Sequence, residues 1–140
     1  MLSSTTSSES ARAQTRVLLV DDNQAILSRA CAVLAPECLV VGQAHDGEAA
    51  LTAAAALRPD VIVLDISMPG MSGFEVAAEL RKAGSTAAIV FLTVHDDAAF
   101  VEAAQASGVL GYVIKSRLVS DLPHAVREVR ACRPFVSKMR

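Results

Sequence analysis

From Arg16 onward the chain alternates, five times over, between short apolar runs and stretches of helical periodicity. The runs fall at 17–20, 39–43, 61–64, 88–92 and 109–114. Several are continuously apolar instead of alternating, the pattern of strands covered on both faces in a parallel sheet. The intervening segments carry helix start and stop signals. Asp46 stands where it can cap a helix over 47–57, with Pro59 shortly beyond its end. Ser72 and Glu75 have capping-box spacing ahead of an apolar-faced segment that ends near Gly84. Asp96 and Asp97 place negative charge at the start of the next helix, and Ser107-Gly108 close it. A last helix is expected over 119–132. The result is a βαβαβαβαβα order, and right-handed crossovers turn it into a doubly wound α/β sandwich whose strand order the pattern alone leaves open.

Composition narrows this further. The chain has 140 residues, 52% hydrophobic and 20% charged, which excludes a disordered or fibrous protein and suits one domain. Alanine fills 25 positions and aromatics only 4%, so the core must be built from small and β-branched aliphatic side chains. The longest apolar runs are six residues, such as 87–92, so no membrane-spanning helix is expected. Residues 1–15 are polar, with SSTTSSES at 3–10, and read as a disordered tail without the features of a secretory signal. The folded domain is expected over 16–133, with 134–140 a C-terminal tail or the start of a linker. Three cysteines (Cys31, Cys38, Cys132) without metal-ligand spacing read as small buried thiols in a reducing cytoplasm. The net charge of −2 hides an asymmetry: residues 115–140 carry seven Lys/Arg against two acids. A solvated helix face is the simpler reading of that basic end, and an acidic partner or nucleic acid the alternative.

In open α/β sheets functional groups gather beyond the carboxyl ends of the strands. Strand 1 ends in Asp21-Asp22, strand 3 in Asp65, strand 4 in Thr93 and strand 5 in Lys115, whereas strand 2 ends in a plain Ala44-His45 turn. Singly, each has an ordinary explanation as a cap, a loop hydroxyl or a surface cation. Jointly, carboxylates so placed resist ionising together unless a cation joins them. Mg²⁺ suits the set: carboxylate oxygens at about 2.1 Å, retained waters and room for a phosphate oxygen. The chemistry then narrows to phosphoryl transfer with a carboxylate nucleophile, helped by the Lys115 ammonium and the Thr93 hydroxyl.

With these residues in view, the chain resembles a response-regulator receiver domain of two-component signalling. The matching segments are VLLVDDN (17–23), VIVLDISMPGMSGFE (61–75), IVFLTV (89–94) and GYVIKS (111–116), and the likeness covers roughly residues 15–133. It implies a flavodoxin-like (βα)5 sandwich with a five-stranded parallel sheet of order 2-1-3-4-5. It implies that a histidine kinase or phosphotransfer protein phosphorylates Asp65. Asp22, Asp65 and the backbone carbonyl of Ser67 would hold Mg²⁺ directly, and Asp21 through water. Thr93 and Lys115 would contact the phosphoryl group, and Met68-Pro69-Gly70 and Gly73 would shape the loop after the acceptor. Thr93 and Tyr112 would be the switch pair, acting on the face made by the fourth helix, fifth strand and fifth helix. The chain departs from the family pattern at three places. Ser116 stands where proline commonly follows the lysine, which disfavours a cis bond there. Val94 follows the threonine where the smallest members have alanine, which implies slower access of water and small phosphodonors. Ser67 and His95 flank the phosphate position and are expected to tune its lifetime, His95 not as a metal ligand.

The stretch 112–137 looks most like receivers of the NarL/FixJ class, which continue into a helix-turn-helix DNA-binding domain. The chain is therefore expected to be either a stand-alone cytoplasmic receiver or the receiver part of a transcription factor. It would signal to a downstream protein or output domain, bind no specific nucleic acid itself and touch no membrane. A phosphorylation-dependent homodimer through the first and fifth helices is possible. Three rivals fit less well. An aspartate-nucleophile phosphohydrolase wants Asp-x-Asp after strand 1 and a cap insertion. A flavin-binding module would find the phosphate of its cofactor repelled by VDDN. A phosphate-independent pseudo-receiver would have lost one of the five key side chains.

Overall fold

The computed structural model describes residues 14–138. Six parallel strands form one sheet in the order β2-β1-β3-β4-β5-β6. They are β1 (Thr15–Val20), β2 (Cys38–Ala44), β3 (Val61–Asp65), β4 (Ala88–Thr93), β5 (Gly111–Ile114) and the short β6 (Phe135–Val136). Five α-helices connect them: α1 (Gln24–Leu34), α2 (Gly47–Leu57), α3 (Gly73–Lys82), α4 (Ala98–Ala106) and α5 (Leu118–Arg130), the last entered through a 3₁₀ turn at Lys115–Arg117. The first five strands have the expected order. The sixth was not expected. It lies inside the stretch read as a tail, because a two-residue strand behind Pro134 leaves no apolar run to detect. The expected tail over 1–15 falls mostly outside the described residues, and its last residue, Thr15, already belongs to β1.

The continuous apolar runs are explained by two cores, one on each face. Val17, Leu19, Val61, Val63, Val90, Leu92 and Val113 point to one side and pack with residues of α1 and α5. Their neighbours Leu18, Ile62, Leu64, Ile89, Phe91, Tyr112 and Ile114 point to the other side, under α2, α3 and α4. Alternation is therefore present, but both phases of it are apolar.

Helix boundaries follow local chemistry. Asn23 caps α1, its side chain accepting from the backbone N–H groups of Ala25 and Ile26. Asp46 caps α2 through Ala49 N–H. Ser72 and Glu75 form the anticipated reciprocal box on α3, and Gly84, at φ +80°, lies just beyond its end. Asp97 precedes α4 without making a side-chain cap bond. The thiols differ from expectation: Cys38 is buried, Cys31 is half-buried, and Cys132 is exposed in the left-handed turn after α5. No cis peptide bond occurs among the described residues, so Lys115-Ser116 opens the 3₁₀ turn in the trans form.

The basic C-terminal end is largely neutralised in place. Arg117 pairs with Asp121, Arg127 with Glu37, Arg130 with Asp60 and Arg133 with Glu128. Two of these acids, Glu37 and Asp60, come from the acidic part of the chain. The charge asymmetry along the sequence is thus partly cancelled in space, which favours the solvated-face reading.

Candidate functional site

Strand order positions the site. β1 and β3 are hydrogen-bonded neighbours with Val20 opposite Leu64, so the residues that follow them, Asp21-Asp22 and Asp65, emerge side by side. β4 adds Thr93, opposite Ile114 at the end of β5, and Lys115 follows directly. Four adjacent strands therefore deliver these groups to one edge. β2 contributes none: its His45 is exposed and hydrogen-bonds Gln24 on α1.

The loop after Asp65 is pinned by Gly73, whose N–H donates to the Ile66 carbonyl at 2.7 Å. A Cβ at Gly73 would collide with the Asp65 carbonyl oxygen, so only glycine lets α3 start this close to the acceptor strand. Met68 is buried against the α2–α3 side of the sheet and anchors the same loop.

Asp21 and Asp65 are 1% and 2% exposed, Thr93 is fully buried and Asp22 is exposed. One carboxylate oxygen of each aspartate lies within 4.8 Å of the others. Lys115 Nζ sits between the buried pair, 2.9 Å from Asp21 Oδ2 and 3.4 Å from Asp65 Oδ1. Asp21 Oδ2 is buried and has the Lys115 ammonium as its one partner among the described residues. Asp21 Oδ1 accepts the Asn23 N–H at 2.9 Å, and Asp65 Oδ1 the Ser67 N–H at 3.3 Å.

Burial and the Asp21 charge push the Asp65 carboxyl up to about 6, against the opposing pull of Lys115 and the Ser67 N–H. Burial alone would pull the Lys115 ammonium down, but the two carboxylates outweigh it and hold it above its usual range. Three carboxylates against one ammonium leave local negative charge and an all-oxygen donor set. This is the environment a hard divalent cation neutralises, and Mg²⁺ fits it.

Around this centre runs a hydrogen-bonded rim. The His95 N–H donates to Thr93 Oγ1 at 3.1 Å, and the Tyr112 hydroxyl donates to the His95 carbonyl at 2.6 Å. The His95 ring bonds Ser67 Oγ at 2.9 Å through Nε2 and stacks on Phe100 of α4, with centroids 3.8 Å apart. Tyr112 is buried, and burial followed by the charges of Asp97 and Asp96 pushes its phenol up to about 12. Val94 stands 65% exposed at the rim.

The structure thus brings together Asp21, Asp22, Asp65, Thr93 and Lys115, with Ser67, His95 and Tyr112 joined to them by hydrogen bonds. Ser67 makes these bonds through its N–H and Oγ. Sequence reasoning passed over Asn23, which both caps α1 and orients Asp21, although the Asp-Asp-Asn run ahead of a helical pattern is an N-cap signal. It also passed over Phe100, whose stacking on His95 no spacing announces.

Comparison with known proteins agrees with this geometry. The family described as response regulator receiver domain matches residues 17–127. The uncharacterized transcriptional regulatory protein YvfU of Bacillus subtilis is 37% identical over 123 residues, covering 86% of this chain and 62% of that protein. The positive alginate biosynthesis regulatory protein of Pseudomonas aeruginosa is 40% identical over 121 residues, covering 84% of this chain and 47% of that protein. The chain therefore spans about half to three-fifths of these relatives' length. Among solved structures, the signal receiver domain of the putative response regulator NarL from Mycobacterium tuberculosis superposes with a TM-score of 0.81 at 33% identity, covering 86% of this chain and 98% of that one. A LuxR-family two-component response regulator from Aurantimonas sp. SI85-9A1 gives 0.81 at 30% identity, covering 87% and 89%. With the family match over most of the folded chain and the acidic cluster at the expected strand ends, this chain belongs to the response regulator receiver family.

Proposed function

We propose that Asp65 is the phospho-acceptor of this receiver and that a histidine kinase or phosphotransfer protein supplies the phosphoryl group. The observation that carries this is the placement of Asp65: a nearly inaccessible carboxylate at a strand end, touching Lys115 and grouped with two further aspartates. An Asp65 carboxylate oxygen attacks the phosphorus of a phosphohistidine. A P–O bond forms, the P–N bond breaks, and the imidazole leaves with the electron pair and takes up a proton. Asp21, Asp22, Asp65 and the Ser67 carbonyl are the groups that would hold Mg²⁺, and the bound ion supplies neutralisation of phosphoryl charge. Lys115 moves from its carboxylate partners to a phosphoryl oxygen, and the Thr93 hydroxyl serves a second one. Thr93 and Tyr112 are linked through His95, so a displacement of Thr93 toward the phosphoryl group reaches the tyrosine hydroxyl. Val94 at the rim restricts access of water.

The role is signalling and not turnover of a small substrate. The chain would act in the cytoplasm, where phosphodonor kinases work, as the receiver part of a NarL-like regulator whose output binds DNA or another protein. Intact-mass analysis after acetyl phosphate and Mg²⁺ tests the acceptor: a gain of one phosphoryl group by the wild type and none by Asp65→Asn is expected. Multiple turnover of a small phosphoester would point instead to a phosphohydrolase.

A further inference from the structure

The outer edge of β5 is occupied. After α5 the chain turns at Cys132, in the left-handed region at φ +61°, and returns along the sheet as β6, parallel to β5. Phe135 N–H donates to the Leu110 carbonyl at 3.0 Å and Ser137 N–H to the Tyr112 carbonyl at 2.8 Å. Phe135 is half-buried, its ring 4.9 Å from that of His124. Ser137 is 2% exposed, accepts from Ile114 N–H at 3.1 Å and donates to Asp121 Oδ2 at 2.7 Å. Asp121, itself 8% exposed, also takes Arg117 Nε at 2.9 Å and Ser120 Oγ at 3.1 Å. Burial works against its charge, but Arg117, Ser137 and Ser120 outweigh it and hold the carboxyl below its usual range.

We propose that residues 134–138 are a resident strand that covers the edge of β5 and is released when Asp65 becomes phosphorylated. The inference rests on the acceptor role proposed for Asp65. Three observations carry it. First, the strand is bonded to the backbone of Tyr112 and Ile114, between the proposed switch residue and Lys115. Second, Lys115 and Arg117 belong to the same three-residue turn. A Lys115 drawn off Asp21 and Asp65 toward a phosphoryl oxygen pulls on Ile114 N–H at one end of that turn and on the Arg117–Asp121 pair at the other, and Ser137 binds both. Third, the fastening is short: the hydrogen bonds of Phe135 and Ser137 and the packing of one half-buried ring. Its hydrogen bonds can be exchanged for bonds to water at small net cost, so such an element opens readily without unfolding the domain. Release would bare the β5 edge, an unpaired strand that an output segment could pair with.

Hydrogen exchange followed by mass spectrometry on the full chain, with and without beryllofluoride and Mg²⁺ as the phosphoryl mimic, tests this. The amides of Phe135 and Ser137 should exchange at least about tenfold faster in the beryllofluoride state, while β3 and α1 remain protected. Ser137→Ala should show the fast exchange without the mimic and still gain a phosphoryl group from acetyl phosphate. Should that variant fold poorly, the wild-type comparison decides alone. Equal protection of 135–137 in both states, in protein that demonstrably gains phosphoryl mass, overturns the release and leaves the acceptor role standing. A wild type that gains no mass overturns both. Protection that survives only in a beryllofluoride-induced dimer assigns the edge to a second copy and overturns the resident-strand proposal.

Discussion

Asp65→Asn preserves the shape of the acceptor and removes its charge, and its effect on stability follows from the electrostatics of the site. The folded environment raises the Asp65 carboxyl from 3.8 to about 6, burial first and Asp21 second. Below pH 3.8 folded and unfolded chains both hold the proton, and the group imposes no penalty. As pH rises through about 6, the unfolded chain has already ionised while the folded one must carry charge where it is disfavoured, so stability falls and then levels off. A shift of this size corresponds to roughly 3 kcal/mol above that window. The opposing attraction of Lys115 is already contained in the net shift. The amide escapes the whole penalty, so Asp65→Asn should be more stable than the wild type by about 2–3 kcal/mol near pH 8 in the presence of a chelator. For a domain of this size that raises Tm by about 6–12 °C. The gap should shrink toward zero near pH 4. Urea unfolding followed by circular dichroism at the two pH values measures it. Adding Mg²⁺ should stabilise the wild type by binding the folded state alone and narrow the gap from the other side. A variant no more stable than the wild type at high pH, or a difference independent of pH, would refute the account of the site as a strained cluster of carboxylates.

Other variants examine the surroundings. Tyr112→Phe leaves the His95 carbonyl without its donor in a part-buried position and should cost about 1–2 kcal/mol in urea unfolding, with phosphoryl uptake retained by intact mass. Gly73→Ala forces the α3 start away from the Asp65 carbonyl and should destabilise by about 2 kcal/mol or more while slowing phosphoryl uptake from acetyl phosphate. Val94→Ala opens the rim and should hasten loss of the phosphoryl group, read as a shorter half-life of the mass adduct; an unchanged half-life would count against the access argument. Ser67→Ala and His95→Ala share one hydrogen bond, so the double variant should fall short of the summed single effects by about 0.5–1 kcal/mol in a stability cycle.

Much of this was legible in the sequence, for specific reasons. The five main strands announced themselves because both phases of their alternation are apolar, and the caps at Asp46 and Ser72 were local chemistry that local structure kept. Asp21, Asp22, Asp65, Thr93 and Lys115 stood out because each lies at the carboxyl end of an apolar run. Their convergence depended on strand order, which periodicity does not encode and the family resemblance supplied. What escaped notice was non-local or very short. β6 is two residues, Phe135 and Val136, apolar but too short for any periodicity to register. The Ser137–Asp121 bond and the stacking of His95 on Phe100 join side chains whose pairing only the folded backbone decides. The basic end read most simply as a solvated face, but the pairing of Arg127 and Arg130 with Glu37 and Asp60 could not be seen because those acids lie far away in the chain.

The crossover that sets β1 beside β3 has a bearing on folding as well as on signalling. Between the two aspartate-bearing strands lie two helices and the edge strand β2, so their pairing closes a long loop and is slow to form. A piece of the polypeptide lacking either strand would lack one side of the proposed Mg²⁺ site, and ion uptake there would report the pairing of β1 with β3. If the proposed site takes up the ion, a simple magnesium titration would double as a census of correctly assembled molecules.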